Sequence, residues 1–129
     1  MASHPESHLQ QVCVRWFRLA HRDLALLYFA VPNGQHLSMS QARIAVAEGL
    51  TKGVSDTLLL VPRKGFHGLC IEYKYEREVW KGGKRTLTRT YQEPEQREWQ
   101  KAVEGQGYLY AIVRSFDEFE KTIEDYLND

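Results

Sequence analysis

The stretch that decides the fold is GVSDTLLLVPRKGFHGLCIEYK, residues 53–74. Two apolar runs of strand length stand on either side of a glycine-bearing segment, and glycine supplies the backbone conformations that a reversing turn needs. The pattern predicts an antiparallel hairpin. Folding the chain about Gly65 places Asp56 roughly opposite Lys74. Side chains alternate between faces along a strand, so Glu72 shares a face with Lys74.

Two carboxylates and one ammonium group therefore converge at the open end of this hairpin. An oxygen-rich site of this kind suits a hard cation such as Mg²⁺. Lys74 beside it could orient an attacking water or offset charge on a phosphate oxygen. The same residues are also compatible with an ion pair of Lys74 with Asp56 or Glu72, which contributes little to stability when exposed. The three residues alone leave both interpretations open.

Length and composition limit the class of protein. With 129 residues, of which 43% are hydrophobic, the chain is expected to be one globular domain. It has no long apolar run and no basic-then-apolar start, so we expect no membrane span, no secretory signal and a cytoplasmic location. The formal net charge is +0, so a nucleic-acid partner would need a local basic patch. Cys13 and Cys70 lack a CxxC spacing and are expected to be free thiols.

The remaining elements follow from apolar spacing, caps and turns. We expect a helix from about residue 4 to 27, a strand at 28–31 and an alanine-rich helix at 42–48 that packs close against the sheet. Beyond the hairpin we expect a β-arm at 76–91 folded about Gly82-Gly83, a helix opened by Pro94, a strand at 108–113 covered on both faces, and a last helix with an apolar stripe. This order indicates an α/β fold with a mixed sheet flanked by helices.

Two features of the chain have more than one interpretation. Ser3-His4-Pro5-Glu6 has the form of a capping box, which gives Glu6 a structural role at the start of the first helix. The tip of the β-arm carries Lys81, Lys84 and Arg85, which could contact DNA phosphates or a second subunit. Lysine at a hairpin end also protects against unwanted strand pairing.

The succession of motifs resembles a known family. Asp56 followed across the hairpin by Glu72-Tyr73-Lys74 is similar to the signature of the PD-(D/E)XK nuclease superfamily, with Ser55 at its proline position. The surrounding sequence resembles the VRR-NUC (virus-type replication-repair nuclease) family, stand-alone phage or bacterial type, along nearly the whole chain. The motifs are Pro32-Asn33-Gly34, Glu48-Gly49-Leu50, Lys52-Gly53-Val54-Ser55-Asp56, Ile71-Glu72-Tyr73-Lys74, Glu95-Gln96-Arg97-Glu98-Trp99 and Gly107-Tyr108.

The resemblance implies a restriction-endonuclease-like fold and a set of site residues. Asp56 and Glu72 match the metal-binding carboxylates, the carbonyl of Tyr73 matches a further ligand, and Lys74 matches the catalytic lysine. Gln96 matches the family's glutamine near the active site. Glu6 matches a glutamate that family members bring towards the metals, and Gln10 lies one turn later on the same helix face.

The implied activity is Mg²⁺- or Mn²⁺-dependent hydrolysis of DNA phosphodiester bonds. Because resolving a four-way junction takes two symmetrical incisions, we expect a homodimer acting on branched, Holliday-junction-like DNA. The segment between Lys74 and Gln96 is longer than in many relatives, which affects substrate specificity rather than the metal site. A DNA-binding module that has lost catalysis and a structural interaction domain are the alternatives.

Overall fold

The computed structural model of the chain describes residues 5–34 and 36–128. The helices are α1 (Pro5–Ala20), α2 (Met39–Ala47), α3 (Pro94–Gly105) and α4 (Phe116–Leu127). The strands are β1 (Tyr28–Ala30), β2 (Thr57–Leu59), β3 (Leu69–Tyr73), β4 (Glu76–Lys81), β5 (Lys84–Arg89) and β6 (Leu109–Val113). The element order predicted from sequence is confirmed. Within the described ranges, no helix is long and apolar enough to cross a membrane.

The main sheet is mixed and has the strand order β1-β2-β3-β6. The β1-β2 and β2-β3 pairs are antiparallel, whereas β3 and β6 run parallel. Strands β4 and β5 pair only with each other and form the β-arm. The arm therefore leaves the sheet directly after β3, at the sheet end where Lys74 lies.

Strand β3 is buried along its whole length because both of its faces are covered. On one face of the strand, Leu69, Ile71 and Tyr73 pack in the apolar core with residues of α1 and α4, such as Phe17 and Phe119. The other face of the strand carries Cys70 and Glu72 by alternation. Helix α3 covers that second face, where the Trp99 ring contacts the Tyr110 ring of β6.

The two cysteines are free and buried, as predicted. Cys13 belongs to the core between α1 and the sheet. Burial raises the pKa of Cys13 to about 12 and that of Cys70 to about 11. Both side chains are therefore unreactive thiols at neutral pH.

The first helix is shorter than predicted. The expected helix from about residue 4 to 27 ends at Ala20 and is followed by a 3₁₀ helix at Arg22–Leu27. The tighter winding brings the carbonyl of Leu27 to the amide of Leu60 at 2.9 Å, which continues the sheet. Leu26 is 95% exposed, so the apolar spacing there does not reflect a buried helical face. Ser3 and His4 of the predicted capping box lie outside the described residues.

The hairpin forms, but its register differs from the prediction. Thr57 pairs with Ile71, so continuing the ladder places Asp56 opposite Glu72 rather than opposite Lys74. The connection reverses one residue earlier than Gly65 because Arg63 and Phe66 bridge each other inside it. This changes each pairing by two residues and leaves every side chain on its predicted face.

Of two packing predictions, the one for α2 is wrong. Helix α2 buries no residue, and Ile44 and Val46 are 61% and 62% exposed. The faces of the sheet are already covered by α1, α4 and α3, so the alanines of α2 have no sheet surface to contact. Strand β6 lies at an edge of the sheet but is covered on both faces, as predicted: α3 packs on Tyr110, and Leu109, Ala111 and Val113 pack with the core.

Candidate active site at the sheet end

Asp56 is held where β2 begins, between two neighbouring strands. Its carboxylate Oδ2 accepts a hydrogen bond from the backbone amide of Tyr73 at 2.7 Å. Its backbone carbonyl accepts one from the amide of Val31 at 2.9 Å. Ser55, at the proline position of the signature, is buried and donates its hydroxyl to the carbonyl of Thr57 at 3.0 Å. The serine thus shapes the turn that aims Asp56.

The environment of Asp56 disfavours its charge. Burial is the largest cause and raises the pKa of Asp56 from 3.8 to about 6. The negative charges of Glu72 and Glu6 add to this rise, whereas the Tyr73 amide and the Lys74 ammonium oppose it. A carboxylate whose ionised form is this costly gains from a nearby cation.

Glu72 is fully buried, with 0% of its surface exposed. Its Oε1 accepts a hydrogen bond from the hydroxyl of Tyr110, and the side-chain amide of Gln92 lies 3.5 Å from the same oxygen. Its other oxygen, Oε2, is buried and has no hydrogen-bond partner. Burying a carboxylate oxygen without a hydrogen-bond partner costs free energy of folding. Oε2 of Glu72 is therefore an acceptor that no donor of the described chain satisfies.

Lys74 projects beside this oxygen and is only 7% exposed. Its Nζ lies 3.9 Å from Glu72 Oε2 and donates to Gln96 Oε1 at 3.0 Å. An ammonium group has three N–H donors, so this arrangement leaves donor capacity for a further acceptor in the site. The ion pair considered from sequence is thus present between Lys74 and Glu72, at long distance.

Gln96 is placed by the start of α3. Its Oε1 also accepts a hydrogen bond from the backbone amide of Glu93 at 2.7 Å, as part of the capping box of that helix. The loop before Asp56 packs on the same helical turn at Gly53, which has a φ of 91°. A Cβ at Gly53 would overlap the carbonyl of Glu95 and stand 2.9 Å from the nitrogen of Gln96. The structure brings Gln96 to Lys74 as predicted.

Glu6 lies near the site but is held by a side chain of the β-arm base. Its Oε2 accepts a hydrogen bond from the hydroxyl of Thr90 at 2.9 Å. Its negative charge is close enough to contribute to the raised pKa of Asp56. A direct contact of Glu6 with a metal stays a prediction. Gln10, one turn along α1, lines a surface groove that also contains Arg15 and Arg18.

The donor set fits a magnesium-like cation rather than a zinc-like one. Within residues 5–34 and 36–128, no three side chains of His, Cys, Asp or Glu cluster as a zinc site would require. Mg²⁺ commonly uses only one or two protein carboxylates. Asp56 and the unpartnered Oε2 of Glu72 provide two. The amide of Tyr73 points to Asp56, and the carbonyl of a strand residue points to the same side as its amide, which adds a third oxygen.

Two residues of the site were not predicted from sequence. Tyr110 reaches Glu72 because β6 pairs with β3 in parallel, with Cys70 opposite Tyr110. Burial first, then the hydrogen bond and charge of Glu72, raise the pKa of Tyr110, so its hydroxyl remains a donor. Gln92 lies between the β-arm and α3 and also bonds Gln100 at 2.8 Å. Alternation along β6 could have identified Tyr110 only if the strand order had been known.

The predicted DNA contacts of the β-arm lie away from this cluster. Lys81 and Lys84 face each other at the tip, and Arg85 forms an ion pair with Glu78 at 2.8 Å. All three basic side chains are exposed. The structure does not bring them to Asp56 or Glu72.

The architecture is that of a restriction-endonuclease-like domain, with a mixed sheet flanked by helices and acidic side chains at one sheet end. The fold matches a solved structure described as a VRR_NUC domain protein, with a TM-score of 0.75 and 21% sequence identity. The match covers 98% of this chain and 91% of that one. This confirms the fold that the VRR-NUC resemblance implied. No protein-family model and no curated protein matches the sequence.

Proposed function

We propose that the chain is a metal-dependent DNA endonuclease of the VRR-NUC type that hydrolyses phosphodiester bonds. The observation that carries the proposal is that Asp56 lies beside a fully buried Glu72 whose Oε2 has no hydrogen-bond partner, with the amine of Lys74 at 3.9 Å from that oxygen. Such a group gains a partner when a divalent cation enters the site. The shared fold with a VRR_NUC domain protein supports the same conclusion.

Asp56, Glu72 and the carbonyl of Tyr73 would hold Mg²⁺ or Mn²⁺. The cation would supply Lewis-acid polarisation of the phosphate and a lower pKa for the attacking water. The carboxylates would fix the position of the phosphate indirectly, by fixing the cation. Tyr110 would fix Glu72, because its hydroxyl donates to the oxygen that faces away from the amine of Lys74.

Lys74 would act on the reacting groups themselves. Gln96 accepts one hydrogen bond from the Nζ of Lys74. The remaining N–H donors of this ammonium group would then point into the site. These donors can orient the water that attacks phosphorus and stabilise the negative charge that develops on the phosphate oxygens as the bond to the leaving oxygen breaks. Loss of one such donor or ligand typically lowers the rate by about 10³-fold or more.

Branched DNA is the proposed substrate, and a homodimer is the proposed active form. One chain offers one cluster of this kind, whereas a four-way junction needs two symmetrical cuts. A two-fold symmetric pair of chains supplies them.

The proposal is tested by incubating the protein with four-way-junction, flap and linear DNA, with and without Mn²⁺. Metal-dependent cleavage that favours a branched substrate is expected. Asp56→Asn and Lys74→Ala should fold normally and cleave nothing. DNA binding without cleavage under all conditions would favour a catalytically silent binding module on the same fold. Cleavage by the variants at the wild-type rate would refute the assignment of the site.

A further inference from the structure

The β-arm has two chemically different faces. Side chains alternate along each strand, and residues paired across an antiparallel ladder share a face. The register of β4 with β5 therefore assigns every side chain. We call one the paired face, made of Glu76, Glu78, Trp80, Arg85, Leu87 and Arg89. We call the other the basic face, made of Arg77, Val79, Lys81, Lys84, Thr86 and Thr88.

The charges of the paired face are balanced within the arm. Arg85 pairs with Glu78 at 2.8 Å, and Arg89 pairs with Glu76 directly across the ladder. Trp80 lies opposite Arg85 and Leu87 lies opposite Glu78, and both are apolar and exposed. A polyanion would have to break an existing ion pair to use either arginine of this face.

The basic face carries no acidic residue at all. The β-arm has five basic and two acidic side chains, and both acids belong to the paired face. In the part of the chain that the structure describes, no carboxylate pairs with Arg77, Lys81 or Lys84. The other members of the face are mainly threonines, whose hydroxyls also donate to phosphate. Three uncompensated positive charges therefore share one exposed surface, with Lys81 and Lys84 side by side at the tip and Arg77 nearer the base.

The basic face continues towards the candidate active site at the base of the arm. Thr90 still pairs with Tyr75 through its backbone amide at 2.9 Å, so alternation places its side chain on the basic face with Thr88. That side chain donates to Glu6, whose charge in turn reaches Asp56. Gln92, two residues further on, contacts Glu72. The base of the arm is thus joined to the candidate active site through Thr90 and Gln92.

We propose that the basic face of the β-arm binds the phosphate backbone of the substrate DNA, through Arg77, Lys81 and Lys84. This inference rests on the proposed nuclease function. Strands of six residues extend about 20 Å from the sheet end, at roughly 3.3 Å per residue. DNA advances about 3.4 Å along its axis per base pair, so the arm spans the axial length of about six base pairs.

A second copy of the chain fits this face less well than DNA does. Two basic faces would repel each other across a two-fold axis, and no acidic patch of the arm is free to complement one. DNA presents a continuous series of phosphates, each with one negative charge, to the positive charges of this face. Occupation by a second copy is accordingly an outcome that the experiment must exclude.

The test compares two charge-matched double variants of the same arm. Lys81→Gln with Lys84→Gln removes two positive charges from the basic face, whereas Arg85→Gln with Arg89→Gln removes two from the paired face. Binding of a labelled four-way junction is measured by fluorescence anisotropy over a NaCl series in EDTA, so that no cleavage is needed. Thermal melting of both variants confirms that each is folded.

The basic-face variant should reduce the slope of log K against log salt by about 1.8, since each lost phosphate contact removes about 0.9. Near 0.1 M salt its affinity should fall by between about 10-fold and 100-fold. The paired-face variant should change the slope by less than about 0.5.

Three results would overturn the inference. Equal slope changes in the two variants would mean that only the total charge of the arm matters. An unchanged slope in the basic-face variant would place the phosphates elsewhere. A shift of the basic-face variant from dimer to monomer in sedimentation would assign the face to a second copy. Absence of cleavage by the wild type would refute the nuclease proposal, while the binding comparison would still decide the inference.

Discussion

Asp56 is a candidate metal ligand whose ionised form lowers the stability of the folded chain. Burial is the main reason that the pKa of Asp56 rises from 3.8 to about 6. Between these values the folded chain retains a proton that the unfolded chain has released. Because the folded state then binds more protons, the free energy of unfolding falls as the pH rises from about 4 to about 6, and the loss is complete above the folded pKa.

Asp56→Asn should therefore stabilise the metal-free protein at neutral pH while abolishing cleavage. The gain at pH 7 is about 2–3 kcal/mol, from about 1.4 kcal/mol per unit of pKa, and it should disappear near pH 4. Urea unfolding of both proteins in EDTA at several pH values measures the difference, in which the titration of all other groups cancels. Equal stability of the two proteins at pH 7 would show that the carboxylate is not strained by burial.

Tyr110 should act as a positioning residue for Glu72. Tyr110→Phe removes the hydroxyl that donates to Oε1, so the carboxylate loses its fixed orientation. We expect the Mn²⁺ concentration needed for half-maximal thermal stabilisation to rise by about 10-fold to 100-fold.

Tyr108→Phe is the matched control for that variant. Tyr108 lies next to β6, its ring contacts His67, and its hydroxyl makes no hydrogen bond among the described residues. The control should leave the Mn²⁺ dependence unchanged. Equal dependence on Mn²⁺ in Tyr110→Phe and the wild type would remove Tyr110 from the site.

The site residues differ in how far the sequence could predict their meeting. Asp56, Glu72 and Lys74 belong to one hairpin, so period-two alternation was enough to place them at one end of it. Gln96 was reached only through the resemblance, because its distance from Lys74 depends on how α3 packs. Tyr110 could not be predicted, since its contact requires the parallel pairing of β3 with β6, a non-local feature.

At the level of elements, the first turn of α3 and the loop before Asp56 are built against each other. Gly53 makes this possible because it has a positive φ and no side chain where the carbonyl of Glu95 lies. Gly49 has a positive φ as well, at 112°, but no atom lies within 4 Å of where its Cβ would be. Comparing an alanine substitution at each position therefore separates the cost of backbone strain from the cost of steric overlap.

Gly53→Ala should destabilise the protein more than Gly49→Ala does. Both variants bear the cost of a positive φ, about 1–2 kcal/mol. Only Gly53→Ala must also displace the start of α3, which adds roughly 1–3 kcal/mol and moves Gln96 away from Lys74. Urea unfolding gives the stabilities, and cleavage per folded molecule should fall in Gly53→Ala alone. Similar stabilities of the two variants would show that this contact is unimportant.

Caps, turns and apolar spacing predicted which elements form, whereas how these elements pack was harder to predict. Ser38 and Ser115 accept capping bonds at the starts of α2 and α4. The packing of α2 was predicted wrongly because small residues allow close contact without requiring it. The register of β2 with β3 was wrong because the local bridge between Arg63 and Phe66 decides where the chain reverses.

At the level of the whole molecule, α2 leaves apolar side chains exposed. Met39 and Val46 are 77% and 62% exposed and line one depression with Ala42 and Arg43. Uncovered apolar side chains of this kind mark interaction sites. The surface offers little positive charge to DNA, so the proposed homodimer is the occupant that we infer.

Met39→Lys with Val46→Lys should convert the dimer into a monomer, because two copies of the surface would then repel each other. Leu26→Lys is the control, since Leu26 is 95% exposed but lies in the 3₁₀ helix after α1. Sedimentation velocity measures both. If the dimer survives the double variant but not Leu26→Lys, the interface lies near Leu26 rather than on α2. A monomeric wild type would refute the proposed homodimer.

The cation site is tested most directly by calorimetric titration of Mn²⁺ into the wild type, Glu72→Gln and Asp56→Asn in the absence of DNA. Glutamine can still accept the hydrogen bond from Tyr110, so the variant keeps the packing around position 72 and loses the charge on the unpartnered oxygen. Saturable binding by the wild type that is lost in both variants is the predicted result. Binding of equal affinity in all three proteins, or none in the wild type, would contradict the account.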